Sequence, residues 1–235
     1  AYPYEVVRNN GLRESFTLKS ADGNANELGV RSWIREDKAR ALLSACGQDF
    51  DALKKAALKP DFQPVSLAAK TSVELKNTIR EVMSKNVIAR VEGTDPVMKS
   101  SHVIYTAHWD HLGKSEDEHG THIFNGAVDN ASGTAMLIEI AGRYVQEAKA
   151  MKRSALFLAV TAEEQGLLGA LYYAANPLYP LQTTVANINM DAMQPWGRAK
   201  DLQVVGYGQT TMDQQVEKHA KAQDRTVIPD LSLIH

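Results

Sequence analysis

The sequence predicts an α/β protein with a mixed, largely parallel central sheet and helices on both faces, and three observations predict it. Ala155-Leu156-Phe157-Leu158-Ala159-Val160 is a short, unbroken apolar run of the kind found in parallel strands covered on both faces. Val103-Ile104-Tyr105-Thr106-Ala107 and the run from Thr184 to Met190 have the same character. Between the first two strands, Met136, Leu137, Ile140, Ala141 and Tyr144 recur at helical spacing, with Ser132 as the expected N-cap.

The remaining elements follow in chain order. Up to about residue 70, short apolar pieces such as Tyr4-Glu5-Val6-Val7 alternate with turns at Gly11 and Asp22-Gly23-Asn24. Helices are expected from Glu36 through Cys46 and from Phe50 to Leu58, before Pro60 and Pro64 break the chain. From Thr71 the pattern changes, so residues 1–70 and 71–235 are read as separate regions. Val73, Leu75, Thr78-Ile79 and Val87 to Val91 read as strands, with Gly93-Thr94-Asp95-Pro96 as a turn. Near the end, Leu202 to Gly206 reads as a strand and about Thr211 to Ala222 as a helix.

Chemistry gathers at the strand ends. The 155–160 run leads to Glu163-Glu164, the 103–107 run to His108-Trp109-Asp110, and the 184–190 run to Asp191. Gly126-Ala127-Val128-Asp129-Asn130-Ala131-Ser132-Gly133 puts Asp129 in a tight turn before the helix, with glycines where positive φ or close approach is needed. Open α/β sheets carry their active sites at the carboxyl ends of strands. Adjacent carboxylates resist ionising together unless something positive holds them. Each motif also has a plain structural explanation: a surface acidic pair, a core histidine, a turn-forming aspartate, a cap. Taken jointly, His108, Asp129, Glu164 and Asp191 point to a metal, and imidazole with carboxylate is a usual donor set for zinc.

Composition excludes several classes. The 235 residues allow one or two domains, and 44% hydrophobic with 23% charged residues is ordinary for a globular chain. A formal net charge of -2 gives no argument for nucleic acid or a membrane surface, and no apolar stretch approaches a membrane span. Cys46 is the single cysteine, so no intrachain disulfide forms. Gly206-x-Gly208 lacks the rest of a dinucleotide fingerprint, and there is no nucleophile elbow. His111, His119 and His122 fall in a polar loop and are expected to be solvated, His111 being the nearest to the site. His102 and His219 are expected at the surface.

The ordered series His108-x-Asp110, Val128-Asp129-Asn130-Ala131-Ser132-Gly133, Glu163-Glu164-x-Gly166-x-x-Gly169 and Asn189-Met190-Asp191 resembles the two-zinc aminopeptidases of the bacterial leucyl aminopeptidase and aminopeptidase Y type, over roughly residues 70 to 231. The resemblance implies a three-layer zinc-peptidase fold, a peptide substrate with a free N-terminus and a periplasmic or secreted setting. It implies that His108, Asp129 and Asp191 bind one zinc, and that Asp129, Glu164 and a further histidine bind the other. Asp129 is then the bridge, Glu163 the general base, and Asp110 the residue that orients His108 through its second ring nitrogen. Residues 1–70 resemble the trailing part of a protease-associated domain, a smaller β-rich insert.

The series departs from that family at its end. The stretch that normally brings the second zinc's histidine has no counterpart, and His235 lacks its flanking motif. The catalytic domain is therefore expected to be incomplete at the C-terminus, with the missing ligand beyond residue 235 and one zinc at most bound firmly. A zinc carboxypeptidase, an aminoacyl (glutaminyl) cyclase, or a non-catalytic binding relative are the alternatives. The last should have lost ligands, whereas His108, Asp129, Glu163, Glu164 and Asp191 are all present.

Overall fold

A computed structural model describes residues 4–11, 14–25, 27–117 and 119–230, which form two compact units, Ala1–Met83 and Ser84–His235. The first unit contains helices α1 (Tyr4–Gly11), α2 (Glu36–Ala45) and α3 (Phe50–Ala56). Its described residues include no strand and no buried side chain, so the β-rich character expected of this part is not found among them. Polar contacts organise it instead. Asp49 caps α3 by accepting from the Ala52 amide at 2.6 Å, and Arg40 lies over the Phe50 ring at 4.3 Å while pairing with Asp51 at 2.8 Å. Exposed ion pairs of this kind contribute about 0–1 kcal/mol each. The strands expected at Val73, Leu75 and Thr78-Ile79 do not form. Those apolar residues are exposed and have no neighbouring strand to pair with, and pairing rather than local pattern decides a short strand.

The second unit is built on a four-stranded sheet. Its strands are β1 (Val87–Val91), β2 (His102–His108), β5 (Ser154–Val160) and β6 (Thr184–Asn189), in the spatial order β1-β5-β2-β6. β2 runs parallel to both β5 and β6, and β1 is an antiparallel edge. From β2 the chain crosses to β5 through α4 (Gly133–Gln146), then returns past β2 to β6 through α5 (Leu168–Ala175). The two crossovers run in opposite directions. Right-handed connections then put their helices on opposite faces of the sheet.

The core records that arrangement. Leu156, Leu158 and Val160 meet Ile104 and Tyr173 of α5, while Ala155 and Phe157 meet Ala107, Leu137 of α4 and Met190. Tyr105 stacks on Phe157 at 5.6 Å and its hydroxyl meets that of Tyr144 at 3.0 Å, fastening the second half of α4 to the sheet. Truncating the fully buried Leu156 to alanine would cost about 2–5 kcal/mol.

Two smaller sheets complete the unit. The polar stretch expected as a loop is a hairpin, β3 (Gly113–Asp117) and β4 (Gly120–Phe124). β7 (Asp201–Val205) and β8 (Thr226–Asp230) pair in parallel and are joined by α6 (Met212–Ala222). Ser132 does not cap α4 as expected. Its hydroxyl donates to the Val128 carbonyl at 2.6 Å, and the Gly133 amide is taken at 3.0 Å by the side chain of Asn130. His102, expected at the surface, is 3% exposed at the start of β2, where Thr184 Oγ1 meets its Nε2 at 2.9 Å.

Candidate metal centre

Because β2, β5 and β6 are parallel, their carboxyl ends share one edge, and the site grows from there. β2 ends at His108, whose Nδ1 lies 2.8 Å from the Asp110 main-chain carbonyl. A carbonyl only accepts, so Nδ1 carries the proton and the Nε2 lone pair points the other way. Nε2 faces Asp129 Oδ1 at 3.0 Å, Asp191 Oδ1 at 3.4 Å and Glu163 Oε2 at 3.9 Å. The residue expected to orient His108 does so, but through its carbonyl and not through its carboxylate.

The Asp110 carboxylate has another task. It accepts from Thr161 Oγ1 at 2.5 Å and from the Ala162 amide at 2.8 Å, which fastens the end of β2 to the turn that carries the two glutamates. That turn is tight. Ala162 and Leu167 adopt positive φ, and the Glu163 carbonyl accepts from the amides of Gly166 and Leu167 at 3.0 and 2.8 Å. Gly169 is required where α5 begins, because a Cβ there would come within 2.4 Å of the Thr161 carbonyl. Asn86 completes the clamp, accepting from the Thr161 amide at 3.1 Å and donating to the Gly169 carbonyl at 2.8 Å.

Asp129 sits in a single irregular turn, Ala127–Ser132, entered through Gly126 at φ 62°. The Asp129–Asn130 peptide is cis. Asn130 is buried and donates to the Met190 carbonyl at 3.0 Å, while Thr134 donates to the His108 carbonyl at 3.0 Å. These bonds hold the turn against the ends of β6 and β2, and so hold Asp129 between His108 and Asp191.

Three groups of ligand atoms lie within 4.8 Å of one another: His108, Asp129 and Asp191; His111, Asp129 and Glu164; and His108, Glu163 and Glu164. All five metal and base residues expected from the sequence are brought together. His111 joins them. Its Nδ1 stands 2.6 Å from Glu164 Oε1 and 3.9 Å from Asp129 Oδ1, so it is not the solvated loop residue expected. The signal was its place directly after Asp110, whose position is fixed on both sides. The second group thus brings His111 to Asp129 and Glu164. His119 and His122 lie exposed on the hairpin.

The electrostatics single out the same place. Buried His108 Nε2 and Asp129 Oδ1 lie 3.0 Å apart, and His111 Nδ1 and Glu164 Oε1 2.6 Å apart, yet none of the four makes a well-formed hydrogen bond. Polar atoms without well-formed hydrogen bonds are costly in a protein interior, and four of them converging make a candidate donor set for a cation. Burial pushes the Glu163 carboxyl above its ordinary value, and the Asp191, Glu164 and Asp129 carboxylates push it further, against the pull of His108. Burial opposes charge on His108, but the Asp110 carbonyl and the carboxylates of Asp191, Glu163 and Asp129 outweigh it and raise its value. A field that favours a proton on His108 favours a divalent ion there too. Beside His108 and Glu163 an apolar cavity of about 390 Å³ opens between α5 and the sheet, lined by Ile104, Leu158, Val160 and Tyr173.

Residues 86–233, more than half of the chain, match the description of peptidase family M28. The chain belongs to that family. Among similar curated proteins, aminopeptidase NAALADL1 of Mus musculus is 32% identical over 142 residues, covering 57% of this chain and 17% of its own length. The same protein of Rattus norvegicus matches with the same figures. A vacuolar membrane protease of Verticillium alfalfae is 34% identical over 74 residues, covering 32% of this chain and 7% of that one. The chain therefore spans less than a fifth of the length of these relatives. Of solved structures, the peptidase M28 precursor from Shewanella amazonensis SB2B has a TM-score of 0.45 at 23% identity, over 63% of this chain and 30% of that one. The Legionella pneumophila LapA aminopeptidase has a TM-score of 0.44 at 16% identity, over 83% and 47%.

Proposed function

We propose that the chain carries the catalytic centre of a metallo-aminopeptidase that hydrolyses the N-terminal bond of peptides with two zinc ions. The observation that carries this reading is the convergence of imidazole and carboxylate atoms around Asp129, with the Glu163 carboxylate beside them. His108, Asp129 and Asp191 would hold one ion, and Asp129 and Glu164 would contribute to the other. Two such ions, when bound, acidify a water and polarise the scissile carbonyl. The chain's own residues do the rest. Glu163 takes the proton of the attacking water and delivers it to the leaving amine, a role its raised proton affinity suits. Asp110 keeps His108 in the tautomer that leaves Nε2 free and keeps the Glu163-Glu164 turn in register.

The mammalian relatives named aminopeptidases favour attack at the free N-terminus over the carboxypeptidase and cyclase alternatives. The presence of every ligand type favours an enzyme over a binding relative. A periplasmic or secreted setting, and a protease-associated origin for residues 1–70, belong to the same reading and rest on the family resemblance. No helix among the described residues is long and apolar enough to cross a membrane.

The test is Glu163→Gln. We expect a fall of about 10²–10⁴ in kcat on an aminoacyl substrate, typical of removing a general base, with zinc content unchanged. Loss of zinc in step with activity would make Glu163 a ligand. Cleavage only of peptides with blocked N-termini would move the reading to a carboxypeptidase.

A further inference from the structure

We infer that Ser84, Lys85 and Asn86, the three residues by which the chain enters β1, form a strap that sets the position of Glu163, with Ser84 and Asn86 as positioning residues for the reaction. Their role rests on the reading of Glu163 as general base, and concerns that residue's support rather than the ligand set. The backbone ladder between β1 and β5 ends at the pair Val87 and Ala159. From there the chain runs on through Val160 and Thr161 to the glutamate turn, past the last backbone pair with β1. The strap takes over at that point.

Asn86 spans the turn. Its Oδ1 accepts from the Thr161 amide at 3.1 Å and its Nδ2 donates to the Gly169 carbonyl at 2.8 Å, so one side chain joins the residues on either side of the glutamates. The fit is close, since a Cβ on Gly169 would come within 2.5 Å of Asn86 Oδ1. Ser84 adds a directed chain. Thr161 Oγ1 gives its one proton to the Asp110 carboxylate, which only accepts, at 2.5 Å. The Ser84 hydroxyl, 2.6 Å from Thr161 Oγ1, is therefore the donor to it. Between the two, the Lys85 carbonyl accepts from the Trp109 indole at 3.1 Å. Trp109 directly follows His108, and Thr161 stands two residues before Glu163. Three consecutive residues thus tie the end of β2 to the entry of the turn. Bonds from the Gly166 and Leu167 amides to the Glu163 carbonyl give the turn its shape, and the bonds to the strap give it its place. A group that moves a proton depends on that place, because a misplacement of about 1 Å can cost about 10²-fold in rate.

Kinetics and hydrogen exchange on Asn86→Ala and Ser84→Ala test the strap. On an aminoacyl substrate we expect kcat to fall by up to about 10²-fold in Asn86→Ala, the scale of such a misplacement, with KM and zinc content unchanged. Ser84→Ala, at an exposed position, should show the same pattern to a smaller extent, and covers failure of Asn86→Ala to fold. Ser84→Thr, which keeps the hydroxyl, should restore kcat. In chelator, amide exchange read by mass spectrometry should quicken in the alanine variants over residues 161–169 and stay as in the parent along β2. Unchanged kcat in both alanine variants, or exchange that quickens throughout the unit, would overturn the assignment and leave Glu163 standing as the base. A parent without activity on aminoacyl substrates would instead remove the reading of Glu163 on which the strap's role rests.

Discussion

β2 opens and closes on a histidine, and the two ends differ in everything except burial. His102 is 3% exposed and His108 is 2% exposed. Around His102 the polar contacts are neutral: Thr184 Oγ1 at 2.9 Å and Thr183 Oγ1 at 3.4 Å, with Tyr179 edge-on at 5.8 Å. Burial, helped by the positive charge of Arg90, holds its value below that of an ordinary histidine. At His108 one nitrogen is satisfied by a carbonyl and the other faces three carboxylates and no hydrogen bond. The difference teaches that a buried histidine declares its role by what its second nitrogen meets. One that meets neutral hydroxyls is a piece of the core, and one that meets several carboxylates is a candidate metal ligand.

The sharpest way to break the comparison is at Asp129, which two of the three ligand groups share. Asp129→Ala should lower the affinity for both ions together, by more than about 10²-fold each, since losing an inner ligand should exceed the 10- to 100-fold cost of losing an outer partner. Asp191→Ala should act mainly on the His108 ion. Metal analysis that finds two zincs on the Asp129 variant would end its role as a bridge.

Next in size is an exchange of outcomes between the two histidines. His102→Ala should spare zinc but destabilise the metal-free protein by about 1–3 kcal/mol, because the part-buried Thr184 hydroxyl loses its partner. His108→Ala should remove the first zinc and also destabilise the metal-free protein, since it deletes a buried ring whose Nδ1 donates to the Asp110 carbonyl. Chemical denaturation in chelator, set beside zinc content, reads both. If His102→Ala also released zinc, the two ends of β2 could not be treated as separate.

Much of this was legible from sequence, for identifiable reasons. Unbroken apolar runs announced β2, β5 and β6, since strands covered on both faces have no polar side to alternate with. Parallel strands then put His108, Glu164 and Asp191 on one edge, and the glycines around Asp129 announced its turn. What failed depended on partners distant in sequence. Ile79 looks like a strand residue, yet lies 89% exposed with no neighbour to pair with. Asn130, not Ser132, takes the start of α4, because the bend of the chain at Asp129 and Asn130 turns the amide side chain toward Gly133. The polar loop sequence predicts a solvated His111, whereas its ring meets Glu164 because Asp110 is bonded to Ala162, 52 residues away in the chain.

That bond gives a smaller effect. Asp110→Asn keeps the main-chain carbonyl that orients His108 but weakens the clasp on Thr161 and Ala162. We expect the His108 ion to be retained and the Glu164 ion to bind roughly 10- to 100-fold more weakly, the usual cost of an outer-sphere partner. Equal weakening of both ions would mean that the carboxylate serves His108 after all.

The smallest effect expected is one of pH, and it lies at the other end of the strand. Because His102 has a depressed value in the folded protein, the unfolded chain binds its proton more readily. Its contribution to stability is therefore complete above the ordinary histidine value of about 6.5 and is lost as pH falls through the folded value. Denaturation in chelator, so that zinc release plays no part, isolates this contribution as the difference between the parent and a His102 variant below about pH 6.5, since the raised values of His108 and Glu163 act in the opposite direction in both. His102→Gln, which keeps a hydrogen-bonding side chain but cannot take the charge, should lose less over the same interval. Parallel losses in parent and variant would show that Arg90 and burial do not govern this histidine, and that the contrast with His108 rests on the carboxylates alone.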